Sequence, residues 1–163
     1  DRRQRIGSVH LVLTIFGSHP SFGWRALSTI RSALHFARRK FIHFHLIVDV
    51  AGKDQIVEAL NTALEPHLQA RVAAFEFHGP SALRGAWTRL RRRIPEKCLR
   101  FTRDFGGDGG PAPGWMRLFP HEVLPLYLNH VIWTEVADFI FFSDPADLLD
   151  EHLRAIHKTA NGS

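Results

Sequence analysis

Apolar residues near the amino terminus of this 163-residue chain are arranged as a buried strand followed by an amphipathic helix. Residues 9–16 read Val-His-Leu-Val-Leu-Thr-Ile-Phe and are followed by Gly17. Such a nearly continuous apolar run is typical of a strand buried on both faces. From Trp24 the apolar residues recur every three or four positions, and the basic triplet 38–40 follows them, where cations favour a helix C-terminus.

The next segment, residues 41–50, predicts a second strand with two different faces. Its alternation places Ile42, Phe44, Leu46 and Val48 on one face, and His43, His45, Ile47 and Asp49 on the other. A helix from about Lys53 to Leu64 and a third strand near 71–77 follow. The β-α-β-α-β order predicts an α/β fold with a mostly parallel sheet, flanking helices and right-handed crossovers.

The second half of the chain continues the pattern less regularly. Its predicted elements are a helix at 81–93, a Gly/Pro-rich loop at 106–114, a helix at 116–127 kinked around Pro120 and Pro125, a strand at 130–136 continuing over 138–142, and a helix at 145–156 capped by Asp144. We expect one domain over residues 8–157, with flexible ends at 1–7 and 158–163.

Composition narrows the classes of protein that fit. The chain is 45% hydrophobic and 23% charged and has one cysteine, which excludes a disordered tail and an internal disulfide. No apolar run reaches the roughly 18 residues of a membrane-spanning helix, so membrane association is expected only through segments outside these residues. Residues 84–103 hold eight Arg or Lys against one Glu. Such a run is typical of a solvated helix face, with binding of an anionic glycan or phosphate as the alternative, and no nucleic-acid module accompanies it.

Carboxylates are concentrated near the last predicted strand. Six of them lie between residues 135 and 151 without an intervening Lys or Arg. Glu135 and Asp138 would project from the carboxyl end of a parallel strand, where open α/β sheets bind ligands, and could hold a hard divalent ion. The alternative is that Asp144 is a helix cap and the other acids are solvated. His43 and His45 alternate on a strand face without a third ligand in sequence, so we expect them to be satisfied sheet residues rather than a metal site.

Several segments together resemble the retaining glycosyltransferases of family 8. The similarity is greatest to the xylosyltransferase domains of the LARGE-type xylosyl/glucuronyltransferases and to the glucoside xylosyltransferases. The segments that carry it are Val9-His10-Leu11-Val12-Leu13, Ser28-Thr29-Ile30-Arg31-Ser32-Ala33-Leu34, His43-Phe44-His45-Leu46-Ile47-Val48-Asp49, Gly114-Trp115-Met116-Arg117-Leu118 with Val123-Leu124-Pro125, and the stretch from Asp138 to Leu148.

The resemblance implies a GT-A nucleotide-diphospho-sugar transferase fold and a hexosyl- or pentosyltransferase activity. The enzyme would move a sugar, with xylose the first guess, from a UDP-sugar to a glycan or glycoprotein with retention, using Mn²⁺ or another divalent cation, in the Golgi lumen. The residues it implies are Thr14, Phe16 and Gly17 bordering the nucleotide, Asp49 near the uracil or ribose, Arg117 on the donor, and Glu135 and Asp138 on the metal, with no catalytic nucleophile assigned. The alternative roles are a strand end for Thr14 and Gly17, a helix cap for Asp49 and a surface cation for Arg117.

The metal strand departs from the family pattern. An ungapped match puts Val136 in place of the first aspartate of D-x-D, whereas a one-residue bulge would put Glu135 there. The chain also stops before the family's third metal ligand, so we expect a donor-binding half that is incomplete at the C-terminus and lacks transferase activity by itself. The alternative function is a catalytically degenerate GT-A domain that binds a glycan or a protein.

Overall fold

The computed structural model describes residues 7–17, 19–93, 120–135 and 139–161 as a layered α/β domain. Its elements are β1 (Ser8–Ile15), α1 (Ser21–Phe36), β2 (Phe41–Val48), α2 (Val50–Ala63), α3 (Pro66–Gln69), β3 (Val72–His78), α4 (Pro80–Arg91), a 3₁₀ turn (Pro120–Glu122), β4 (Ile132–Glu135) and α5 (Pro145–Asn161). The predicted α/β class and the early element order are confirmed.

The four strands form one sheet in the order β3-β2-β1-β4, and every pair is parallel. β1 and β2 pair along their whole length, from Ser8 beside Phe41 to Ile15 beside Val48. β4 is short and pairs with the second half of β1, ending with Glu135 beside Thr14. The carboxyl ends of β1, β2 and β4 therefore meet at one edge of the sheet.

One face of the sheet is apolar except for the buried Thr134 of β4, which is the register partner of Leu13. It buries alternate residues of β1 and β2, which are Val9, Leu11, Leu13, Ile15, Ile42, Phe44, Leu46 and Val48, against α1, α2 and the start of α5. Ile30 and Leu34 of α1 and Ile56 of α2 are fully buried in the same cluster. The predicted alternation of strand 41–50 is confirmed on this face.

The opposite face is only partly apolar. Val12 and Ile47 pack against Leu83, Ala86 and Leu90 of α4 and against the segment that precedes β4. Further towards the beginning of β1 and β2 the same face carries histidines instead of aliphatic residues. α4 and the segment before β4 therefore form the second outer layer of a three-layer arrangement. The sheet face on this side has an apolar part and a polar part.

Two predicted elements are wrong within the described residues. Between residues 120 and 128 the structure has the 3₁₀ turn and further turns instead of a helix, because Pro125 has no N–H to donate to a helical bond. Residues 139–142 are not a strand. The carbonyl of Phe139 accepts a hydrogen bond from Thr29 Oγ1 (2.8 Å), and the N–H of Phe141 donates one to Ser32 Oγ (3.1 Å). Helix α1 therefore takes the backbone groups that a neighbouring strand would have taken.

Helices α1 and α2 approach each other closely at a glycine. A Cβ added to Gly23 would lie 2.5 Å from the backbone oxygen of Gln55, inside the van der Waals limit. Gly85 in α4 has room, since its added Cβ would meet only Arg89 Nη1 at 3.6 Å.

We predict that Gly23→Ala lowers the free energy of unfolding by about 1–3 kcal/mol, because the backbone of α2 would have to move. Gly85→Ala is the matched control and should raise that free energy by about 0.5–1 kcal/mol through helix propensity. Urea denaturation followed by circular dichroism measures both. Equal effects of the two substitutions would contradict the close helix approach.

Candidate functional site

The carboxyl ends of β1 and β4 form the edge at which a ligand site is expected. Within the sheet, β2 pairs with one edge of β1 and β4 pairs with its other edge. Ligands of open α/β sheets bind in the crevice at such a reversal of strand order. Thr14 is buried and Glu135 is half-buried, and their Cα atoms are register partners across this point. The structure thus brings together two of the residues predicted for the site.

The turn after β1 is organised by the carboxylate of Asp49. Gly17 has a φ of 100°, which favours glycine, and its N–H donates to Asp49 Oδ2 at 2.8 Å. Asp49 Oδ1 accepts from the N–H of Gly52 at 2.7 Å and caps α2. The cap interpretation of Asp49 is confirmed, and its role near the uracil or ribose stays a prediction.

The other residue of this turn faces away from the apolar side of the sheet. Phe16 is half-buried and packs with the cluster that contains Val12 and Leu83. Gln55 Nε2 donates to the carbonyl of Gly17 at 3.3 Å, so α2 holds the turn at a second point. Thr14, Phe16 and Gly17 therefore lie where the prediction put them, at the end of β1, and their contact with a nucleotide stays a prediction.

Two predicted site residues, Arg117 and Asp138, lie outside the described residues, as does Val136. Glu135 is the predicted metal ligand whose position the structure gives. It contributes one carboxylate, a suitable donor for a hard divalent ion, at the sheet edge. The metal and donor roles of these residues stay predictions.

Three other carboxylates of the acidic segment, those of Asp144, Asp147 and Asp150, make contacts away from this edge. Asp144 Oδ1 accepts from the N–H of Ala146 (2.9 Å), and Oδ2 accepts from the N–H groups of Arg38 (3.0 Å) and Arg39 (3.1 Å). These backbone hydrogen bonds outweigh burial and lower the pKa of Asp144. Arg39 also pairs with Asp147 and with Asp150. This part of the segment therefore joins α5 to the end of α1. The sequence did not predict these contacts, because no Lys or Arg lies among the carboxylates of residues 135–151.

Part of the basic segment is paired in the same way. Arg89 Nε lies 2.9 Å from Glu122 Oε2, and Arg93 Nη1 lies 2.7 Å from Oε1. The hydrogen bond from Arg89 is the main reason that the pKa of Glu122 is lowered. Both arginine side chains remain largely exposed, as expected for a solvated helix face. The rest of the run, from residue 94 onward, lies outside the described residues.

A cluster of four histidines and one glutamate lies on the α4 side of the sheet. We call it the histidine cluster, and it consists of His10, His43, His45, Glu76 and His78. Strand register brings it together, because His10 pairs with His43 across β1 and β2, while His45 pairs with Glu76 and Ile47 with His78 across β2 and β3. The expectation that His43 and His45 lack a third ligand is therefore wrong, since neighbouring strands supply candidates. Aligning the predicted strands in parallel would have placed His10 beside His43.

The histidine cluster is held by hydrogen bonds between rings. His10 Nδ1 lies 2.9 Å from His45 Nε2, and His45 Nδ1 lies 3.1 Å from His78 Nε2. The rings of His43 and His45 stack with centroids 4.4 Å apart and an interplanar angle of 8°. Burial, with smaller contributions from the neighbouring histidines, lowers the pKa of His45 to about 3. Burial also lowers the pKa values of His10 and His78.

These features define a parallel α/β protein with a sheet of the GT-A type. The apo crystal structure of mouse xyloside xylosyltransferase 1 has a similar fold, with a TM-score of 0.63, 14% sequence identity and coverage of 90% of this chain and 49% of that chain. The likeness establishes the fold, and this chain spans about half the length of the xylosyltransferase chain. No family profile and no curated protein sequence matches the chain. Membership of family 8 therefore stays a prediction.

Among the described residues, none of the helices combines the length and the apolar character needed to cross a membrane.

We predict that Asp49→Ala lowers the free energy of unfolding by about 2–3 kcal/mol, because a helix cap is lost and the N–H of Gly17 loses its acceptor. Asp49→Asn keeps an acceptor for the N–H of Gly52 and should lower the free energy of unfolding by about half as much as Asp49→Ala does. Asp54→Ala is the control, since Asp54 is exposed on the same helix. Urea denaturation measures the three variants, and a cost for Asp49→Ala no larger than for Asp54→Ala would show that the turn does not depend on this carboxylate.

We predict that acidification destabilises the protein through the histidine cluster. The unfolded state takes up a proton on His45 near pH 6.5, whereas folded His45, with its pKa of about 3, does not. The contribution of neutral His45 to the free energy of unfolding is therefore fully present above pH 6.5. Below that pH the free energy of unfolding falls by about 1.4 kcal/mol per pH unit. Between pH 6.5 and 5, above the range in which Glu122 and Asp144 titrate, His45 alone should account for about 2 kcal/mol.

His45→Gln should make this dependence shallower without removing it, because burial also lowers the pKa values of His10 and His78. His67→Gln, at an exposed position on α3, should leave it unchanged. Unfolding in urea at several pH values gives the slopes. Identical slopes for wild type and His45→Gln would contradict the lowered pKa.

Proposed function

We propose that this domain binds the nucleotide-sugar donor of a glycosyltransferase, in the crevice at the carboxyl ends of β1 and β4. The observation that carries the proposal is the pairing of Thr14 with Glu135 at the reversal of strand order. This edge combines a buried hydroxyl-bearing residue, a carboxylate and a glycine turn. The similar fold of a xylosyltransferase supports the same class of function.

The turn after β1 supports the binding of a nucleotide. The bond from Gly17 to Asp49 and the second contact from Gln55 hold the turn in one conformation before any ligand arrives. A rigid turn loses little conformational entropy on binding. The position of Gly52 also requires glycine, because a Cβ there would collide with the backbone oxygen of Ile15. The beginning of α2 can therefore lie directly against the end of β1.

We propose that a divalent cation, Mn²⁺ or a similar hard ion, joins the donor diphosphate to the protein. Glu135 fits this role by its position at the sheet edge and its oxygen donors, and Asp138 is the second ligand that the sequence offers. Such an ion supplies Lewis-acid stabilisation of the leaving diphosphate. Arg117, proposed to reach the donor, would add a second positive charge.

The finer parts of the proposal rest on the resemblance of the sequence. They are a UDP-sugar donor, xylose as the transferred sugar, retention at the anomeric carbon, a glycan or glycoprotein acceptor, and residence in the Golgi lumen. Because the chain spans about half of the xylosyltransferase chain, we propose that acceptor binding and turnover need residues beyond this domain.

We predict that UDP binds in the presence of Mn²⁺ and that Glu135→Gln or Asp138→Ala weakens this binding by at least about tenfold, which corresponds to the loss of roughly 1.4 kcal/mol. Glu151→Gln is the matched control, because it removes an exposed carboxylate from the same acidic segment. Isothermal titration calorimetry with UDP, with and without Mn²⁺, measures the affinities. UDP binding that ignores both Mn²⁺ and these substitutions would overturn the metal role.

The second candidate function is that of a degenerate domain that binds a glycan or a protein. The presence of Val136 in the ungapped position of a metal ligand favours it, because valine has no donor atom. Absence of any UDP or UDP-sugar binding at millimolar concentration would select this function over the first.

A further inference from the structure

We propose that the histidine cluster binds a zinc ion through His45, Glu76 and His78. The proposed ion is independent of the donor-binding function, because its ligands lie on β2 and β3 and not at the β1–β4 edge. Two imidazoles and one carboxylate form a ligand set that zinc commonly takes. A hard ion such as Mn²⁺ or Mg²⁺ prefers oxygen ligands, so the two sites differ in chemistry.

The distances between the donor atoms fit a small tetrahedral ion. His45 Nδ1 lies 3.1 Å from His78 Nε2 and 3.5 Å from Glu76 Oε2. His78 Nε2 lies 3.9 Å from Glu76 Oε1. Zinc bonds of about 2.0–2.1 Å in tetrahedral geometry place neighbouring ligand atoms roughly 3.3–3.4 Å apart. The two separations from His45 Nδ1 bracket this value. The two imidazoles face different oxygens of Glu76, so we propose that rotation of the carboxylate and of His78 brings one oxygen and both nitrogens around a common ion.

The hydrogen bonds of the cluster prepare His45 for metal binding. His45 Nε2 can donate its proton to His10 Nδ1, at 2.9 Å, while His10 Nε2 donates to Ser8 Oγ, at 3.3 Å. This arrangement leaves the lone pair of His45 Nδ1 directed at the proposed site. Metal-bound histidines generally donate their second ring N–H in this manner, which sets the tautomer and orients the ring.

Position and burial make the site rigid. All three ligands lie on neighbouring paired strands, where His45 is directly opposite Glu76 and His78 is the last residue of β3. His45 is fully buried and His78 nearly so, while the Glu76 side chain is 39% exposed and leaves a route from solvent. With three protein ligands, one coordination position remains for water.

The fourth histidine of the cluster, His43, also lies beside the proposed site. His43 Nε2 is buried and has no hydrogen-bond partner among the described residues, although it lies 3.4 Å from Glu76 Oε2. Buried polar groups are almost always satisfied, so this nitrogen would be stabilised by a further polar neighbour at the proposed site. A zinc ion on Glu76, with its bound water, would supply one.

The test is titration of the metal-free full chain with Zn²⁺ by calorimetry, and with Co²⁺ as a visible-absorption probe of tetrahedral geometry. Wild type should bind one equivalent at this site. Glu76→Gln and His78→Gln should each weaken binding by at least about 100-fold, since loss of a ligand costs no less than loss of its outer hydrogen-bond partner. His10→Gln, which affects only the positioning of His45, should weaken binding by about 10–100-fold and keep the tetrahedral Co²⁺ spectrum.

The matched controls are Glu58→Gln and His67→Gln, which make the same chemical changes at exposed helix positions and should bind like wild type. Absence of binding, or binding that both cluster variants retain, would overturn the proposal. If His78→Gln fails to fold, Glu76→Gln and the X-ray absorption spectrum of zinc-loaded wild type still decide it, because a spectrum without imidazole scattering excludes the site.

The titration also separates this site from the donor site. Glu135→Gln should bind Zn²⁺ at the histidine cluster as wild type does, whatever its affinity for UDP. Zinc binding lost in Glu135→Gln and kept in Glu76→Gln would place the ion at the sheet edge and refute the cluster site.

Discussion

A sheet made only of parallel strands has to be covered on both faces, and this constraint governs the rest of the structure. On one face the cover is a conventional apolar layer, in which Ile30 and Leu34 of α1 pack on alternate residues of β1 and β2. On the other face α4 covers Val12 and Ile47, and the neighbouring inward positions are histidines. His45 and His78 are buried, so their ring nitrogens need partners inside the protein, and His10, His45 and His78 form a hydrogen-bonded chain.

The sheet edge depends on the same arrangement at a different point. Strand order reverses between β1 and β4, and the turn after β1 lies at the carboxyl ends of these two strands, where we propose that the ligand binds. Asp49 connects that turn to the first turn of α2 by accepting one backbone N–H from each. A helix cap thus also orders the polypeptide where a ligand would bind. The structural and the proposed functional roles of this carboxylate are therefore two effects of one geometry.

Local sequence patterns predicted the first half of the fold well, because its elements repeat at regular periods. The alternation in residues 41–50 identified both faces of β2, and the cap signal at Asp144 marked the start of α5. What sequence reasoning missed were contacts between distant segments. Arg39 lies about 100 residues before the acids that it pairs with, and the side chains that bind residues 139–141 come from α1. The periodicity of a single helix or strand does not predict contacts between segments that are far apart in the sequence.

The histidine cluster becomes predictable only when the pairing of the strands is considered together with the sequence of each strand. Judged within one strand, His43 and His45 are an ordinary alternating pair, as predicted. Once the strands are parallel and in register, His10, Glu76 and His78 join the same face, and they form two overlapping groups of three possible metal ligands, which are His10, His43, His45 and His45, Glu76, His78. Strand order also separates Glu76 and His78 of β3 from Glu135 of β4, because β2 and β1 lie between those two strands. The set of two imidazoles and one carboxylate that we propose for zinc suits a borderline ion, whereas the carboxylates proposed at the β1–β4 edge suit a hard one, so the two proposed sites differ in chemistry.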